Sequence, residues 1–193
     1  MEGEDAALSA GTPLDTAVRN GDLKRVTEIR VSSSAKMFES MARQPDPNGW
    51  LPIHVAASQG YSGVITQLLS AGFDMTGARL PEDGRTPLHL ASVQGHESAL
   101  KVLLPHGAGG LLQRDRRGLM AIHAAVEAGY EAVVSLLVER GCPPEACDGK
   151  GRTVVHTAAA CGEGGILMGL VFNGGGDALG LRDDKGPTPP LPL

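Results

Sequence analysis

A chain of 193 residues with a formal net charge of −5 has room for one ordinary domain or one short array. Its mild acidity argues against a nucleic-acid partner, which calls for clustered Lys and Arg, and no window approaches the roughly 18 apolar residues of a membrane-inserting span. Aromatic residues make up only 3% of the chain, so cohesion must come from Leu, Ile, Val and Ala packed at short range.

Residues 1–11 are small, polar and acidic, and read as a disordered lead without the apolar core of a signal segment. Together with an odd number of cysteines, three, this points to a reducing compartment, the cytoplasm or alternatively the nucleus. Thr12 opens a first helix that runs to about Asn20 and is ended by Gly21. A second helix runs from Leu23 to about Arg30, with Val26, Ile29 and Arg30 facing inward. An Arg in a slot that is apolar in later units marks an end unit with a wet outer side. The stretch from Ser32 to Asn48 is an irregular excursion in which Lys36 to Arg43 has the composition for two helical turns.

Beyond this point a motif repeats. Thr86-Pro87-Leu88-His89-Leu90-Ala91 recurs in degraded form from Leu51, Met120 and Thr153, and an early copy from Thr12 carries Asp15 in the histidine slot. Thr86 is suited to cap the free amides of a helix start, and Pro87 to sit in its first turn. From each cap position to a later glycine the distance is constant: 51 to 72, 86 to 107, 120 to 141 and 153 to 174, 21 residues each. Inside that block Gly60, Gly95, Gly129 and Gly162 separate two helices, with Gly21 in the same place in unit one. The second helix of each unit carries an apolar triplet: Ile65/Leu68/Leu69, Leu100/Leu103/Leu104, Val134/Leu137/Val138 and Leu167/Leu170/Val171. Length varies only in the connection that follows, which spans 14 residues from Gly72 to Thr86, 13 from Gly107 to Met120 and 12 from Gly141 to Thr153. Each connection closes on a tight turn, Asp-x-x-Gly, at Asp46, Asp115, Asp148 and Asp183, replaced in unit three by Glu82-Asp83-Gly84.

A period of 33 to 35 residues, made of a turn and two helices around T-P-L-H-x-A, resembles the ankyrin-repeat family over residues 12–186. The resemblance implies an all-α, ankyrin-type solenoid of about five helix–turn–helix repeats joined by β-turn-like finger loops, with repeats near 12–45, 46–80, 81–114, 115–147 and 148–182. Three departures stand out. Unit one lacks the histidine and the later glycine, unit four lacks Thr-Pro, and unit five has Gly164, Gly165 and Gly169 in or near its second helix. A sixth unit begins at Asp183 but runs into Pro190-Leu191-Pro192-Leu193. Proline inside a helix costs about 3 kcal/mol, so 187–193 is expected to be a Pro-rich tail closing a truncated sixth repeat.

Little in the pattern points to catalysis. The in-phase histidines His54, His89, His123 and His156 invite a metal ladder, but each unit supplies one, and stacked helices sit about 10 Å apart, too far to share an ion. A structural imidazole tying helix starts to neighbouring turns is the competing reading, and the resemblance implies it. Cys142, Cys147, Cys161 and His156 make a zinc set on paper but lack the usual Cys-x-x-Cys spacing. Gly174-Gly175-Gly176 is not followed by Lys-Ser/Thr and opens no helix, so no phosphate loop is read. No catalytic residue, cofactor or metal is expected, and the chain is read as not an enzyme.

What remains is surface. The resemblance implies that turn tips and first helices line a concave face that grips a protein partner, as a scaffold or adaptor. The alternative is a regulatory ankyrin module of a larger enzyme or channel. Candidate contacts are Trp50, Arg85, Arg116, Arg117, Leu119, Lys150 and Arg152 at the tips, with Ser58, Gln59, Val93, Gln94 and Glu127 at the ends of first helices. Trp50 is the sole Trp, and Arg85, Arg114, Arg116, Arg117, Lys150 and Arg152 make the tips basic in an acidic chain. A basic edge with an aromatic anchor suits an acidic segment bound to a monomer. Solvated loops with Trp50 packed on unit one remain the alternative.

Overall fold

Helices of seven to ten residues are shorter than the length at which an isolated helix holds in water, so each must be held by what it packs against. In a computed structural model, described here over residues 12–75, 77–106 and 110–172, they form two parallel layers. The inner layer comprises α1 (Pro13–Arg19), α4 (Pro52–Ser58), α6 (Pro87–Val93), α8 (Ala121–Glu127) and α10 (Val154–Cys161), each packed on the next. The outer layer comprises α2 (Leu23–Ser32), α5 (Ser62–Ser70), α7 (Glu97–His106), α9 (Glu131–Glu139) and α11 (Gly164–Phe172), again each on the next. Inner and outer helices pair as antiparallel hairpins about Gly21, Gly60, Gly95, Gly129 and Gly162, all at positive φ. The described residues contain no strand, only an isolated bridge between Cys147 and Thr153.

The apolar triplets of the outer helices point inward as their spacing predicts, except that Val138 and Val171 are only half-buried. Ile65, Leu68, Leu69, Leu100, Leu103, Leu104, Val134, Leu137, Leu167 and Leu170 are buried, and with Leu14, Ile53, Leu88, Ile122 and Val155 of the inner layer they make one continuous core running the length of the array. The excursion after α2 holds a further helix, α3 (Ala35–Ala42), whose Phe38 and Ala42 are buried against α1 and α2. The long connection is therefore part of the core rather than a loop beside it.

The hairpin glycines serve a second purpose that periodicity does not reveal. From the second repeat on, the residue after the hairpin glycine lies over the equivalent glycine of the preceding repeat. A Cβ at Gly21 would stand 2.7 Å from the Tyr61 ring, at Gly60 2.7 Å from His96, and at Gly95 2.5 Å from Tyr130. Outer-helix starts can stack this closely only over a residue with no side chain.

Both end repeats leave apolar side chains uncovered, Val31 of α2 being 77% exposed at the first. At the first repeat Arg30, in the slot predicted to be wet, is half-buried and donates from Nη1 to Ser70 Oγ at 2.6 Å. At the last described helix, Ile166, Leu167 and Leu170 are buried but Met168 and Phe172 are 56% and 79% exposed. The acidic lead 1–11, the Pro-rich tail 187–193 and the start of a sixth unit lie outside the described residues. Three glycines in α11, each costing up to about 1 kcal/mol relative to Ala in a helix interior, add to its weak position. Hydrogen exchange should find α10 and α11 opening first among the pairs from α4 to α11; equal protection along the array would contradict this.

Candidate functional site

The inner-helix histidines are structural joints. The backbone N–H of the cap residue donates to Nδ1 in every full repeat: Leu51 to His54 at 3.1 Å, Thr86 to His89 at 3.3 Å, Met120 to His123 at 3.3 Å and Thr153 to His156 at 3.3 Å. With Nδ1 an acceptor, the proton sits on Nε2. His89 Nε2 donates to the Leu119 carbonyl at 2.9 Å and His123 Nε2 to the Ala146 carbonyl at 3.1 Å, both in the following finger. His54 turns the same nitrogen toward the Ala78 carbonyl without closing a full hydrogen bond. Burial pushes His54 and His123 down to about 4, against the opposing pull of those carbonyls and of Asp83 and Asp46 on His54 and Asp148 on His123; burial also lowers His89. The expected amide cap by Thr86 is replaced: its hydroxyl donates to His89 Nδ1 at 2.8 Å instead. Thr153 does both, donating to His156 Nδ1 at 2.7 Å and accepting from the His156 amide at 3.2 Å.

Repeat one, with Asp15 in the histidine slot, is joined to repeat two differently. Arg19 bonds Asp15 through Nε at 2.9 Å and reaches Asp46 of the next finger with its other arm. An ion pair thus spans the gap that an imidazole spans elsewhere.

The fingers are pinned by the Asp-x-x-Gly aspartates. One carboxylate oxygen accepts two backbone amides: Asn48 and Trp50 at Asp46, Arg117 and Leu119 at Asp115, Lys150 and Arg152 at Asp148. The glycines at 49, 84, 118 and 151 take positive φ to close the turn. Neighbouring fingers are then tied together. The Arg116 amide donates to the Asp83 carbonyl at 2.8 Å, Arg79 donates to the Arg114 carbonyl at 2.8 Å, and Arg114 straps the Gly118 and Cys147 carbonyls.

Against this frame the candidate contacts separate. Trp50, Ser58, Arg85, Val93 and Gln94 come together in one cleft of about 190 Å³ between the second and third fingers, completed by Asn48, Leu80, Pro81, Glu82, Asp83 and Leu90. Trp50 is half-buried, its ring edge-on to His54 of its own repeat at 6.4 Å and 74°, so it leans on its own histidine and lines the cleft. Gln59 and Gln94 are the exposed C-caps of α4 and α6. Arg116, Arg117 and Lys150 project from the fourth and fifth fingers, and Arg117 meets Glu127 across 3.4 Å. Arg85 and Arg152 are turned onto Asp83 at 3.2 Å and Asp148 at 2.8 Å.

Leu119 is a correction. Its side chain is 2% exposed, because the slot shared by Trp50, Arg85, Leu119 and Arg152 is the base of the finger rather than its tip. The backbone there is spent on both sides, its amide on Asp115 and its carbonyl on His89. Arg114 likewise serves the frame as a strap. The cleft residues Leu80, Pro81 and Leu90 were missed by sequence reasoning, and only their apolar character next to the turn could have marked them.

Cys142 is buried and its thiol is pushed up to about 12 by burial; Cys147 is half-buried and Cys161 exposed. Among the described residues no group of three or more His, Cys, Asp or Glu side chains is placed to hold a metal ion, and no helix is long and apolar enough to cross a membrane.

Paired helices, buried imidazoles and pinned fingers define a helical repeat array presenting a side-chain-lined edge. Family models described as ankyrin repeats (3 copies) and ankyrin repeats (many copies) match residues 14–113 and 115–167, and the chain belongs to the ankyrin-repeat family. It is similar to human ankyrin repeat domain-containing protein 63, 43% identical over 86 residues, covering 45% of this chain and 22% of that protein. It also resembles the Caenorhabditis elegans homolog of transient receptor potential cation channel subfamily A member 1, 30% identical over 141 residues, 73% of this chain and 12% of that one. Human B-cell lymphoma 3 protein is 32% identical over 153 residues, 75% of this chain and 32% of that one. The chain thus spans between an eighth and a third of these relatives' lengths. Ankyrin repeats are in general non-catalytic modules that mediate protein–protein interaction.

The buried imidazoles carry a pH dependence. In the unfolded chain each histidine takes up a proton near pH 6.5; in the folded array His54 and His123 do so only near 4. Between those values the unfolded state binds more protons, so stability present above pH 6.5 falls as pH drops, by about 1.4 kcal/mol per pH unit for each histidine at full effect. The denaturant midpoint should therefore hold steady from pH 8 to 7 and decline from pH 6.5 to 5, with a shallower decline in His54→Gln/His123→Gln. A midpoint unchanged down to pH 5 would contradict the buried neutral assignment.

Proposed function

We propose that this chain acts as a non-catalytic protein–protein interaction scaffold or adaptor, gripping a segment of a partner protein on its concave finger and inner-helix face. The observation that carries the reading is the cleft between the second and third fingers. It gathers a half-buried Trp, three aliphatic side chains, two amides, a hydroxyl and the Asp83–Arg85 pair on a frame whose backbone bonds are already satisfied. Trp in a partly desolvated pocket ringed by polar groups is the composition of a binding hot spot. The cations of the fourth and fifth fingers favour an acidic segment in the partner. We assign the module to a reducing compartment, cytoplasmic or nuclear, on the strength of its free thiols, and take it to act as a monomer.

A second reading is that the array is the regulatory ankyrin module of a larger enzyme or channel. It is favoured by the small share of each relative that the chain spans, one of those relatives being named as a cation channel homolog.

Affinity purification with mass spectrometry on wild type and on Trp50→Ala/Arg117→Glu tests the primary reading. The double variant is expected to fold normally by circular dichroism and to lose about tenfold or more of its specific partners, about 1.4 kcal/mol or more of binding free energy. Recovery of the same partners at the same yield would overturn it.

A further inference from the structure

Resting on the reading of the concave face as a protein-binding surface, we propose the register of the segment it takes. The segment is an extended chain with one bulky apolar side chain seated between Trp50, Leu90 and Val93. Its acidic residues lie on one side of that anchor only, about four to seven positions away.

The cleft supplies the anchor point. Its walls are the indole of Trp50 and the aliphatic groups of Leu90 and Val93, and its volume of about 190 Å³ has room for one large side chain but not for a folded element. Gln94, exposed, and Ser58, whose hydroxyl donates to the Val55 carbonyl at 2.9 Å and is left as an acceptor, also line it and can meet the main chain of an extended segment.

The sign of the charge then changes along the edge. Glu82, exposed and without an ion pair among the described residues, sits on the rim of the cleft itself. One finger on, Arg116 is exposed and unpaired among the described residues, and Arg117 holds only a 3.4 Å solvent-exposed pair with Glu127, a kind of pair that is weak in water. Two fingers on, Lys150 is exposed and unpaired among the described residues. Arg85 and Arg152 are neutralised by Asp83 and Asp148, whereas Arg79 and Arg114 keep their charge and turn it onto carbonyls further along the array, Arg79 onto Arg114 and Arg114 onto Gly118 and Cys147. The uncompensated positive charge therefore lies toward the fourth and fifth fingers, where Arg79 and Arg114 also turn, while the anchor's own rim carries Glu82.

The spacing follows from the stacking. Successive repeats advance by about one helix-packing distance, 8–10 Å, and an extended chain covers about 3.3 Å per residue, so from an anchor midway between the second and third fingers the fourth finger, one and a half steps on, lies about four residues away and the fifth, two and a half steps on, about six to seven. The Arg116–Asp83 backbone bond and the Arg114 strap hold those steps rigid, which is what makes register, and not merely charge, selectable.

Trp50 is the only Trp in the chain, so its fluorescence reports occupancy of the cleft directly. The probes are three synthetic peptides of equal composition on a Gly-Ser background, each with one Leu and four Glu. The glutamates stand four, five, six and seven positions after the Leu in the first, the same distances before it in the second, and beyond twelve positions in the third. One of the first two is expected to bind about tenfold tighter than the third, with the advantage fading at high salt. Arg116→Glu/Lys150→Glu, with both changes at exposed finger tips, should abolish that advantage while leaving the third peptide's affinity unchanged. Equal affinity of all three peptides, or an advantage that survives the charge reversal, overturns the register while the concave-face reading stands. If no peptide moves the Trp50 signal, the register is overturned; the concave-face reading falls with it only if Trp50→Ala/Arg117→Glu also retains its partners.

Discussion

The array depends on a neutral imidazole held between two repeats. Each inner helix from α4 to α10 begins where a backbone amide donates into Nδ1 of a histidine three residues on, and that bond forces the ring's proton onto Nε2, where it meets a carbonyl of the next finger at His89 and His123. A single hydrogen bond of this kind contributes about 1 kcal/mol net, but a buried polar atom left without its partner costs about 1–3 kcal/mol, so the joint penalises any misplacement of the neighbouring repeat more than it rewards correct placement. Repeat one reaches the same end with Arg19 between Asp15 and Asp46. The chemistry of the joint differs while the geometry it enforces is shared.

Everything exposed on the fingers follows from that joint. The Leu119 carbonyl that receives His89 belongs to a residue whose amide Asp115 holds, and the Ala146 carbonyl that receives His123 lies two residues before Asp148. Finger bases are therefore saturated with backbone bonds, and only the tips and the ends of inner helices keep side chains free. That division explains why Arg85, Arg152 and Arg114 serve the frame whereas Arg116, Arg117 and Lys150 face solvent. It also places the cleft beside Trp50, where a large ring at a finger base is too big to be wholly absorbed.

Much of this was legible because it is local chemistry at fixed spacing. Helix pairs, hairpin glycines, apolar triplets and Asp-x-x-Gly turns each depend on residues within one repeat. What the sequence could not show depends on residues one repeat-length away. Leu119 shares a slot with Trp50, yet it is buried, because exposure at a finger base is decided by side-chain size and by the neighbouring finger. The straps from Arg79 and Arg114 span 35 and 33 residues, and nothing in their own surroundings marks them off from solvated arginines. Stacking of Tyr61, His96 and Tyr130 over the preceding glycines was hidden for the same reason, although an aromatic after the hairpin glycine in two repeats, and a histidine in a third, was a signal to be had. The helix over Ala35–Ala42 was readable as helix, but its Phe38 has no in-phase counterpart to announce that it would enter the core.

The most direct test of the joint is the protonation state of the rings themselves. Long-range proton–nitrogen correlation spectra of the folded protein at neutral pH, with nitrogen-15 in the histidines, separate the two neutral tautomers and the cation by the shifts of Nδ1 and Nε2. His54, His89 and His123 are predicted to show an unprotonated Nδ1 and a protonated Nε2 in slow exchange with water. Nδ1-protonated rings, or the averaged shifts of a freely exchanging imidazole, would contradict the account.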